Sequence, residues 1–510
     1  MSNSNSPPDD AEPATLPTES NDGHGISLAS KLLRAVQAVL SELGLVALYH
    51  APADSKILIL QRFVRLFAYG GSTLILASYL SDLGVSDARI GLFMTLTLAG
   101  DVLISFLLTL IADGLGRKWI LVFGAALMTA SGIVFGLSGN YWVLLAAAIL
   151  GVISPSGNEI GPFRAIEEST LAHLTASQHR SDIYAWYSLI GTAGTALGFV
   201  CCGWIITFLR HDKHWTSVRA YRLVFFIYAS VGIVKLGLAL LLSKECEVTS
   251  QPKSANATET ETAPLLGGNA NADANANTNK NAPASKGETK KRWSLLPNIS
   301  KESKVILVQL CILFAFDNFA SGLAPVSWVT YFFKRKFDLP EGKLGSIFSV
   351  TGVISALSML VASSIAKRIG NVKTMVFTHL PSAICLALIP IPSTLGGALV
   401  FLIGRSCTQV MDVAPRSAFL AAIVLPHERT AVMGTINVAK TCAQSLGPVI
   451  TGILGTNHLF WVAFVAAGSL KATYDLGLLA LFAERKSREE GTVAGPGPGP
   501  GRDEEEQGGR

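Results

Sequence analysis

The nine residues "LIADGLGRK", Leu110–Lys118, decide the fold, because they close one long apolar run and open another. Gly114 and Gly116 permit a tight turn between two helices. Asp113 can pair with basic groups, and the two basic residues that end the stretch favour a loop on the cytoplasmic side of a membrane. The stretch therefore predicts a hairpin of two membrane-spanning helices with a cytoplasmic loop.

The composition of the whole chain agrees with a membrane setting. Hydrophobic residues make up 50% of the 510 residues and charged residues 15%, and the mean hydropathy is +0.43, whereas soluble domains carry about 25% charged residues. A bilayer core about 30 Å thick needs about 20 apolar residues per helix, and runs of that length recur along the chain. They predict an all-α integral membrane protein with twelve transmembrane helices. The predicted spans are Phe63–Leu80, Ile90–Ala112, Trp119–Leu137, Tyr141–Asn158, Ile183–Leu209, Leu223–Leu242, Val305–Phe333, Leu344–Ala366, Thr374–Ile391, Gly396–Leu425, Ala431–Leu454 and Leu459–Ala483.

Polar, low-complexity sequence separates and flanks the two sets of six spans, and it has too little apolar content to fold alone. Apolar residues recur at helical spacing between Ile26 and Val46, which predicts an amphipathic helix that lies on the membrane surface or packs against the inner face of the protein. Low-complexity segments of this kind are typical of a eukaryotic, fungal source. The predicted parts are a disordered N-terminus with this helix (1–55), an N-terminal six-helix bundle (56–243), a flexible cytoplasmic linker (244–303), a C-terminal six-helix bundle (304–484) and a disordered tail (485–510).

The two sets of spans repeat each other. If Gly116 is set on Gly370 of "SIAKRIGNVK", the same offset sets Gly91 on Gly345. With one small gap, "HRSDIYAWYSLIGTAGTALG" (179–198) then matches "ERTAVMGTINVAKTCAQSLG" (428–447). The repeat predicts two pseudo-symmetric six-helix bundles.

The loop "ADGLGRK", Ala112–Lys118, in a duplicated twelve-span chain resembles the signature loop of the major facilitator superfamily. "LGPVITG", Leu446–Gly452, resembles the Gly-Pro kink that the superfamily often has in its eleventh helix. The resemblance covers roughly residues 56–484. It implies two bundles that rock about a central cavity, which is lined by the first, second, fourth and fifth helices of each half.

The resemblance also implies an ion-paired latch at the cytoplasmic mouth. Its partner is expected in "GNEIGPFRAIEES", Gly157–Ser169, which ends the fourth span with a proline and several charges. Two plainer interpretations stay open: the basic residues of the loop only set the topology, and the stretch is a water-exposed helix end. The candidate gating residues are Asp113, Gly114, Gly116, Arg117, Lys118, Glu159, Arg164 and Glu167.

Charged residues inside the apolar runs are a second set of candidates, because each costs about 2.5 to 3.5 kcal/mol at a helix centre. Asp317 lies well inside its run, where an acid that gains and loses a proton could couple transport to a proton gradient. The alternative is a static pair of Asp317 with Lys440. The candidates for substrate or proton are Asp101, Asp317, Arg405, Asp412 and Lys440.

Spacing suggests which of these charges share a helix face. Arg405 and Asp412 are two turns apart, and Asp412 lies within pairing distance of Arg416. Lys471 and Asp475, on a helix outside the expected cavity, are predicted to pair with each other. Lys235 on the sixth span is expected to find a partner between helices or to snorkel.

These features predict a secondary active transporter that moves a small organic solute by alternating access, coupled to protons. The alternative is a transporter-like receptor that binds solute without moving it. No nucleotide-binding loop of the G-x-x-x-x-G-K-[ST] type occurs in the sequence, and we expect neither an enzyme nor a cofactor or metal site. The expected partners are the lipid bilayer, the solute and protons, without nucleic acid, and the protein is expected to be a monomer.

The sequence indicates less about the substrate and about the membrane in which the protein lies. The sugar-porter motif after the sixth span is missing, where the chain reads "LLSKECEV". Aromatic residues and both charge signs in the expected cavity helices suit an amphiphilic organic anion or zwitterion. Charge counts and the signature loop favour cytoplasmic termini, and "ETAPLL", Glu261–Leu266, fits an acidic dileucine pattern. The predicted location is the plasma membrane or the vacuolar membrane.

Overall fold

The computed structural model describes residues 45–247 and 301–482, except 152, 154, 156–161, 177–178 and 425–427. Most of the predicted N-terminal segment, linker and tail lies outside these residues. The described helices are α1 (Leu45–His50), α2 (Ala53–Asp82), α3 (Asp87–Leu115), α4 (Arg117–Leu137), α5 (Tyr141–Gly151), α6 (Pro162–Leu174), α7 (Arg180–His211), α8 (Ser217–Leu240), α9 (Lys301–Leu323), α10 (Val326–Phe337), α11 (Glu341–Ile369), α12 (Asn371–Leu388), α13 (Leu395–Thr408), α14 (Val413–Ile423), α15 (Arg429–Thr456) and α16 (Phe460–Phe482).

The helices confirm the predicted twelve-helix fold. Nine spans are single helices, and the fourth, seventh and tenth spans are each built from two: α5 with α6, α9 with α10, and α13 with α14. Within the described chain, seven segments are long and apolar enough to cross a membrane by those two criteria alone. We call the end at which α8 stops and α9 starts the linker end, and the opposite end the far end.

The fourth and tenth spans break at corresponding places. Pro162 is the first residue of α6, a position where its missing N–H and fixed φ cost nothing. In the tenth span α13 ends at Thr408 and α14 starts at Val413. The expectation that Arg405 and Asp412 share one continuous helix face is therefore wrong, because the helix ends between them.

Glycines show the two-fold repeat directly. Gly116 and Gly370, which the sequence repeat aligns, join consecutive helices with φ of 87° and 85°. A Cβ on Gly91 of α3 would lie 2.4 Å from the carbonyl oxygen of Pro448 on α15. A Cβ on Gly345 of α11 would lie 2.1 Å from that of Phe199 on α7. The two halves thus cross at two equivalent places where only glycine lets the helices approach this closely.

The apolar core shows where the halves meet. Among the described residues, the largest cluster joins both halves at the far end, with Phe93 from one half and Trp328 and Phe460 from the other. Two smaller clusters lie at the linker end, one within each half. The continuous core therefore belongs to the far end, and the cores at the linker end are separate.

Candidate transport site and gates

A buried ion cluster lies inside the N-terminal half. Arg65 on α2 donates two hydrogen bonds to Glu167 on α6, at 2.8 and 2.7 Å. Tyr187 on α7 donates a third to the same carboxylate at 2.7 Å, and Lys235 on α8 lies 3.8 Å from it. Arg65, Glu167 and Lys235 are all at most 1% exposed. One acid thus holds four helices together, and of the two alternatives expected for Lys235, a partner between helices is the one found.

A second buried cluster lies inside the C-terminal half. Lys471 on α16 donates to Asp317 on α9 at 2.6 Å, and Arg416 on α14 lies 3.4 Å from the other oxygen of Asp317. Arg416 also donates to Asp412, one turn earlier in the chain. The predicted pairing of Asp412 with Arg416 is present, whereas the alternative partner of Asp317, Lys440, is not the one found.

The prediction that Lys471 pairs with Asp475 is wrong. Lys471 reaches across to Asp317 instead, and Asp475 lies beside His379 of α12, whose Nδ1 is 3.0 Å from both carboxylate oxygens. The other ring nitrogen of His379 is 3.8 Å from Asp317. Because each charge finds a partner on another helix, α16 is tied to both α9 and α12 by buried polar contacts.

The two clusters occupy corresponding positions with opposite charges. Arg65 on the first span corresponds to Asp317 on the seventh, just as Gly70 nearby corresponds to Gly322, which makes the equivalent helix contact. Glu167 and Arg416 each lie seven residues before the end of α6 and α14. In the N-terminal half the arginine is on the first span and the acid on the fourth. In the C-terminal half the acid is on the seventh span and the arginine on the tenth.

The third member of each cluster is a lysine in both halves. Lys235 follows Gly232 by three residues and Lys471 follows Gly468 by three. Gly232 packs on Thr129 of α4, and Gly468 packs on Ala383 of α12. These contacts are equivalent, so both clusters have the form of one acid between an arginine and a lysine.

The other predicted cavity residues lie outside these ion pairs. The Lys440 ammonium lies 4.3 Å from the centre of the Phe314 ring, and within the described residues no carboxylate is within ion-pair distance of Lys440 or Arg405. Arg405 is on α13, next to Ser406, whose carbonyl accepts a hydrogen bond from Ser355. Asp101 is buried in α3 at 4% exposure.

A third group of charges joins the two halves at the far end. Asp87, the first residue of α3, accepts from Arg335 at 2.7 Å and from Tyr331 at 3.0 Å. Glu341, the first residue of α11, accepts from Arg210 at 2.9 Å and from Tyr221 at 2.6 Å. Each acid therefore binds a cation from the opposite half, and the field of its helix N-terminus stabilises its charge.

The rest of the far-end network completes this contact. Lys334 lies 2.9 Å from Glu341. The Ala88 amide donates to the Thr456 hydroxyl at 3.1 Å, and the Gly342 amide donates to the Thr207 hydroxyl at 2.8 Å. Two clefts, of about 560 and 540 Å³, flank these contacts on the surface.

The signature loop makes contacts different from those expected. Gly116 alone forms the turn, since α3 continues through Gly114 to Leu115. The carboxylate of Glu247 accepts from the amides of Arg117 at 2.8 Å and Lys118 at 3.1 Å. Glu247 therefore caps α4 at its positive end, and a Cβ on Gly116 would lie 2.8 Å from its oxygen.

The basic side chains of the loop also bind within their own half. Lys118 donates to the carbonyls of Leu240 and Leu242 at the end of α8, at 2.9 and 2.5 Å. Arg117 is 3.5 Å from the Ser169 carbonyl. Of the candidate gating acids, Glu167 is bound by Arg65 in the helix interior instead of by the loop.

The remaining latch candidates divide between described and undescribed residues. Arg164 pairs with Glu168 at 2.7 Å, one turn on. Glu159 and the side chain of Asp113 lie outside the described residues.

Burial raises the pKa of the nearby Cys246 thiol to about 12, so this thiol stays protonated at neutral pH. No three His, Cys, Asp or Glu side chains within the described chain come together as a metal site.

Sequence reasoning missed the far-end acids, because they stand at helix starts outside the apolar runs. A signal was nevertheless present. The offset that sets Gly91 on Gly345 also sets Asp87 on Glu341, as "DARIG" and "EGKLG" show. His379 carried no such signal, since a lone histidine in an apolar helix is as often a packed core residue.

The geometry is that of a duplicated membrane protein with charged groups buried inside each half and a polar contact between the halves. The sequence matches the family model of the Major Facilitator Superfamily over residues 58–414 and 310–501. The chain belongs to the Major Facilitator Superfamily. It is thus a multi-pass integral membrane protein from a family of membrane transporters.

Relatives and solved structures agree with this membership. The chain is 38% identical over 434 residues to the "Uncharacterized membrane protein YJR124C" of Saccharomyces cerevisiae, across 85% of this chain and 94% of that protein. The fold resembles the crystal structure of nucleoside transporter NupG, with a TM-score of 0.60 and 15% identity over 85% of this chain and 100% of that one. It also resembles the inward open xylose transporter XylE from E. coli, with a TM-score of 0.59 and 13% identity over 84% and 97%. At such identities these two likenesses concern the fold alone.

Proposed function

We propose that this superfamily member is a secondary active transporter that carries a small organic solute by alternating access, coupled to protons. The observation that carries the proposal is the contrast between the two ends. Ion pairs and a continuous apolar core join the halves at the far end, whereas the described cores at the linker end are separate. In the proposed cycle this is the state closed at the far end.

The far-end ion pairs suit a contact that must open in every cycle. Arg335 is 44% exposed and Arg210 is 39% exposed, although the acids that they bind are at least 90% buried. Ion pairs with one solvated partner contribute about 0 to 1 kcal/mol, so they align the halves without locking them. The equivalent positions of Asp87 and Glu341 place one such contact on each side of the two-fold axis.

The signature loop is the proposed gate of the opposite state. The side chain of Arg117 contacts the Ser169 carbonyl at 3.5 Å, and in the proposed cycle it changes partners when the linker end closes. We assign Asp113, Gly114, Gly116, Arg117, Lys118, Glu159, Arg164 and Glu167 to this gate, with Glu167 acting through the Arg65 pair. The amides that Glu247 caps hold the loop in place in the present state.

Proton coupling is assigned to the acids inside the C-terminal half, with Asp101 as a candidate in the other half. Asp317 holds Lys471 and Arg416 together. A proton on Asp317 would remove the charge that both cations require and so free α14 and α16 to move relative to α9. Arg405, Asp412 and Lys440 are the accompanying candidates for contact with the solute.

Flux measurements on purified protein in lipid vesicles test the proposal. The vesicles are given a mixture of organic acids, amino acids, nucleosides and sugars, and their contents are compared by mass spectrometry with and without a pH gradient. We expect at least one solute to accumulate with the gradient, and D317N to reduce that accumulation about tenfold or more. A matched control is D212N, which removes an exposed acid at the far end.

Each of the following outcomes would contradict one part of the proposed function. Gradient-driven flux that survives D317N and D101N removes proton coupling from these acids. A solute that binds but is never moved would instead favour a transporter-like receptor. The cytoplasmic side of the termini is proposed from the loop charges, and glycosylation of the sequon Asn256-Ala257-Thr258 in the linker would contradict it.

A further inference from the structure

Lys440 is a cation with an unusual environment inside the C-terminal half. Its helix α15 turns Val438 and Leu446 outward, at 60% and 55% exposure. Lys440 follows Val438 by two residues, which is about 200° around the helix, so it lies on the opposite, inward face. Its ammonium contacts the ring of Phe314 at 4.3 Å, a cation–π contact that fixes its position without neutralising its charge.

The ion pairs of the C-terminal cluster do not include Lys440. Arg416 and Lys471 are both bound to carboxylates, those of Asp317 and Asp412. Asp475 is occupied by His379. Within the described residues, Lys440 is then the one lysine or arginine of this cluster without a carboxylate in ion-pair distance.

Other donors beside Lys440 also lack acceptors. The guanidinium of Arg416 lies 5.5 Å from the centre of the same Phe314 ring, and its buried Nε makes no hydrogen bond among the described groups. The buried Tyr474 hydroxyl makes none either, and its ring lies 5.6 Å from that of Phe314. Three donors with unused capacity thus surround one aromatic ring, and a buried charge of this kind needs a counter-ion.

We propose that Lys440, with the Nε–H of Arg416, binds the carboxylate of an organic monoanion, and that this monoanion is the class of solute that the protein carries. The inference rests on the proposed transport function. The two oxygens of one carboxylate can bind the Lys440 ammonium and the Arg416 Nε–H, whereas a second negative charge would lie near Asp317 and Asp412, which both contact Arg416. A monocarboxylate therefore fits the site better than a dianion such as phosphate. A neutral solute would leave Lys440 without a counter-ion.

Thermal unfolding of the purified full-length protein in detergent tests the site directly. The probes are benzoate and hexanoate, their neutral amides benzamide and hexanamide, and inorganic phosphate. We expect the two carboxylates to raise the unfolding temperature in a saturable way and the amides to have no effect, with phosphate weaker than the carboxylates. K440Q and K440M should weaken carboxylate binding about tenfold or more, because a charged hydrogen bond is lost.

Two further variants keep the test interpretable. K440R retains the charge and should retain carboxylate binding to within about threefold. K343M, which removes an exposed lysine at the far end, should bind carboxylates like the parent. Since Lys440 has no carboxylate partner among the described residues, K440Q should unfold near the parent temperature without ligand.

The results separate this inference from the transport proposal. Equal stabilisation by acids and amides, or unchanged carboxylate binding by K440Q, overturns the anion site. If vesicles move a neutral or cationic solute while no carboxylate binds, the transport function stands and the anion site is wrong. If carboxylates bind through Lys440 but nothing in the solute mixture crosses the vesicle membrane, the transport function fails instead.

Discussion

Arg65 and Asp317 occupy corresponding positions on the first and seventh spans and carry opposite charges. Arg65 faces an acid on the fourth span, Glu167, at 2.7 Å, and Asp317 faces a base on the tenth, Arg416, at 3.4 Å. A lysine on the sixth or twelfth span completes each cluster. The repeat has thus preserved the interaction while exchanging the two charges between helices.

The exchange of charges predicts that the N-terminal half stays folded when an acid replaces Arg65 and an arginine replaces Glu167. E167Q removes the carboxylate that Arg65 binds at 2.7 Å and that Lys235 approaches at 3.8 Å, and breaking a buried pair in this way costs about 3 to 5 kcal/mol. R65D places two acids together and should be as harmful. The double variant R65D/E167R recreates the order found in Asp317 and Arg416, with Lys235 beside the new acid, and should recover at least half of the lost unfolding temperature.

The same measurement contains its own control. R164M/E168Q removes a half-exposed pair on the same helix α6 and should change the unfolding temperature little, because such pairs contribute about 0 to 1 kcal/mol. If R65D/E167R is no more stable than the worse of its two single variants, the equivalence of the Arg65–Glu167 and Asp317–Arg416 pairs does not extend to their contribution to stability.

Gly116 and Gly370 offer a second comparison within one chain. Both have φ near 85°, so alanine at either position is strained by about 1 kcal/mol or more. A Cβ on Gly116 would also meet Glu247, whereas a Cβ on Gly370 meets nothing within 4 Å. G116A should therefore lower the unfolding temperature further than G370A.

The additional decrease in unfolding temperature of G116A relative to G370A should depend on Glu247. E247A removes the cap of α4, at a cost of about 1 kcal/mol, and also removes the atom that the new Cβ would meet. We expect G116A/E247A to be more stable than the sum of the single effects implies, as a thermal unfolding cycle can show. Strict additivity would mean that the two residues do not interact.

The far-end acids predict a change in accessibility. D87N and E341Q each remove the charge that binds a cation of the opposite half, so the far end should open more often. Ser78 is 3% exposed and lines the cleft between the halves. In an S78C background, labelling by a membrane-impermeant maleimide should therefore become several-fold faster with either substitution, and D212N, at an exposed acid, should leave the rate unchanged. A rate that responds equally to all three would show that surface charge alone controls labelling.

The repeat predicted two equivalent halves because it compares whole segments of the chain. Hydropathy predicted the twelve helices because that signal comes from residues that are close in sequence. The repeat offset also held in three dimensions, where the aligned Gly91 and Gly345 form the two crossings between the halves. Local pairs such as Asp412 with Arg416 were predictable for the same reason. Even there, proximity along a helix was insufficient, since Lys471 and Asp475 are one turn apart and bind different helices.

The sites depend on contacts between distant parts of the chain, which spacing does not reveal. Glu167 was assigned to the signature loop because it lies near the end of its span, but α6 turns it inward to Arg65, 102 residues earlier in the chain. Asp87 and Glu341 were not predicted, since both begin their helices and stand outside the apolar runs. The charge exchange between Arg65 and Asp317 could be recognised only after the cluster around each residue was seen.

The distance between the halves at the far end tests the account most directly. Ala88 and Thr456 are in hydrogen-bond contact across the two halves, so spin labels on A88C/T456C report that contact by double electron–electron resonance in lipid vesicles. Alternating access predicts two populations, one at the short distance and one clearly longer, with D87N/E341Q shifting weight to the longer one. A single short distance under every condition, including in D87N/E341Q, would contradict the account.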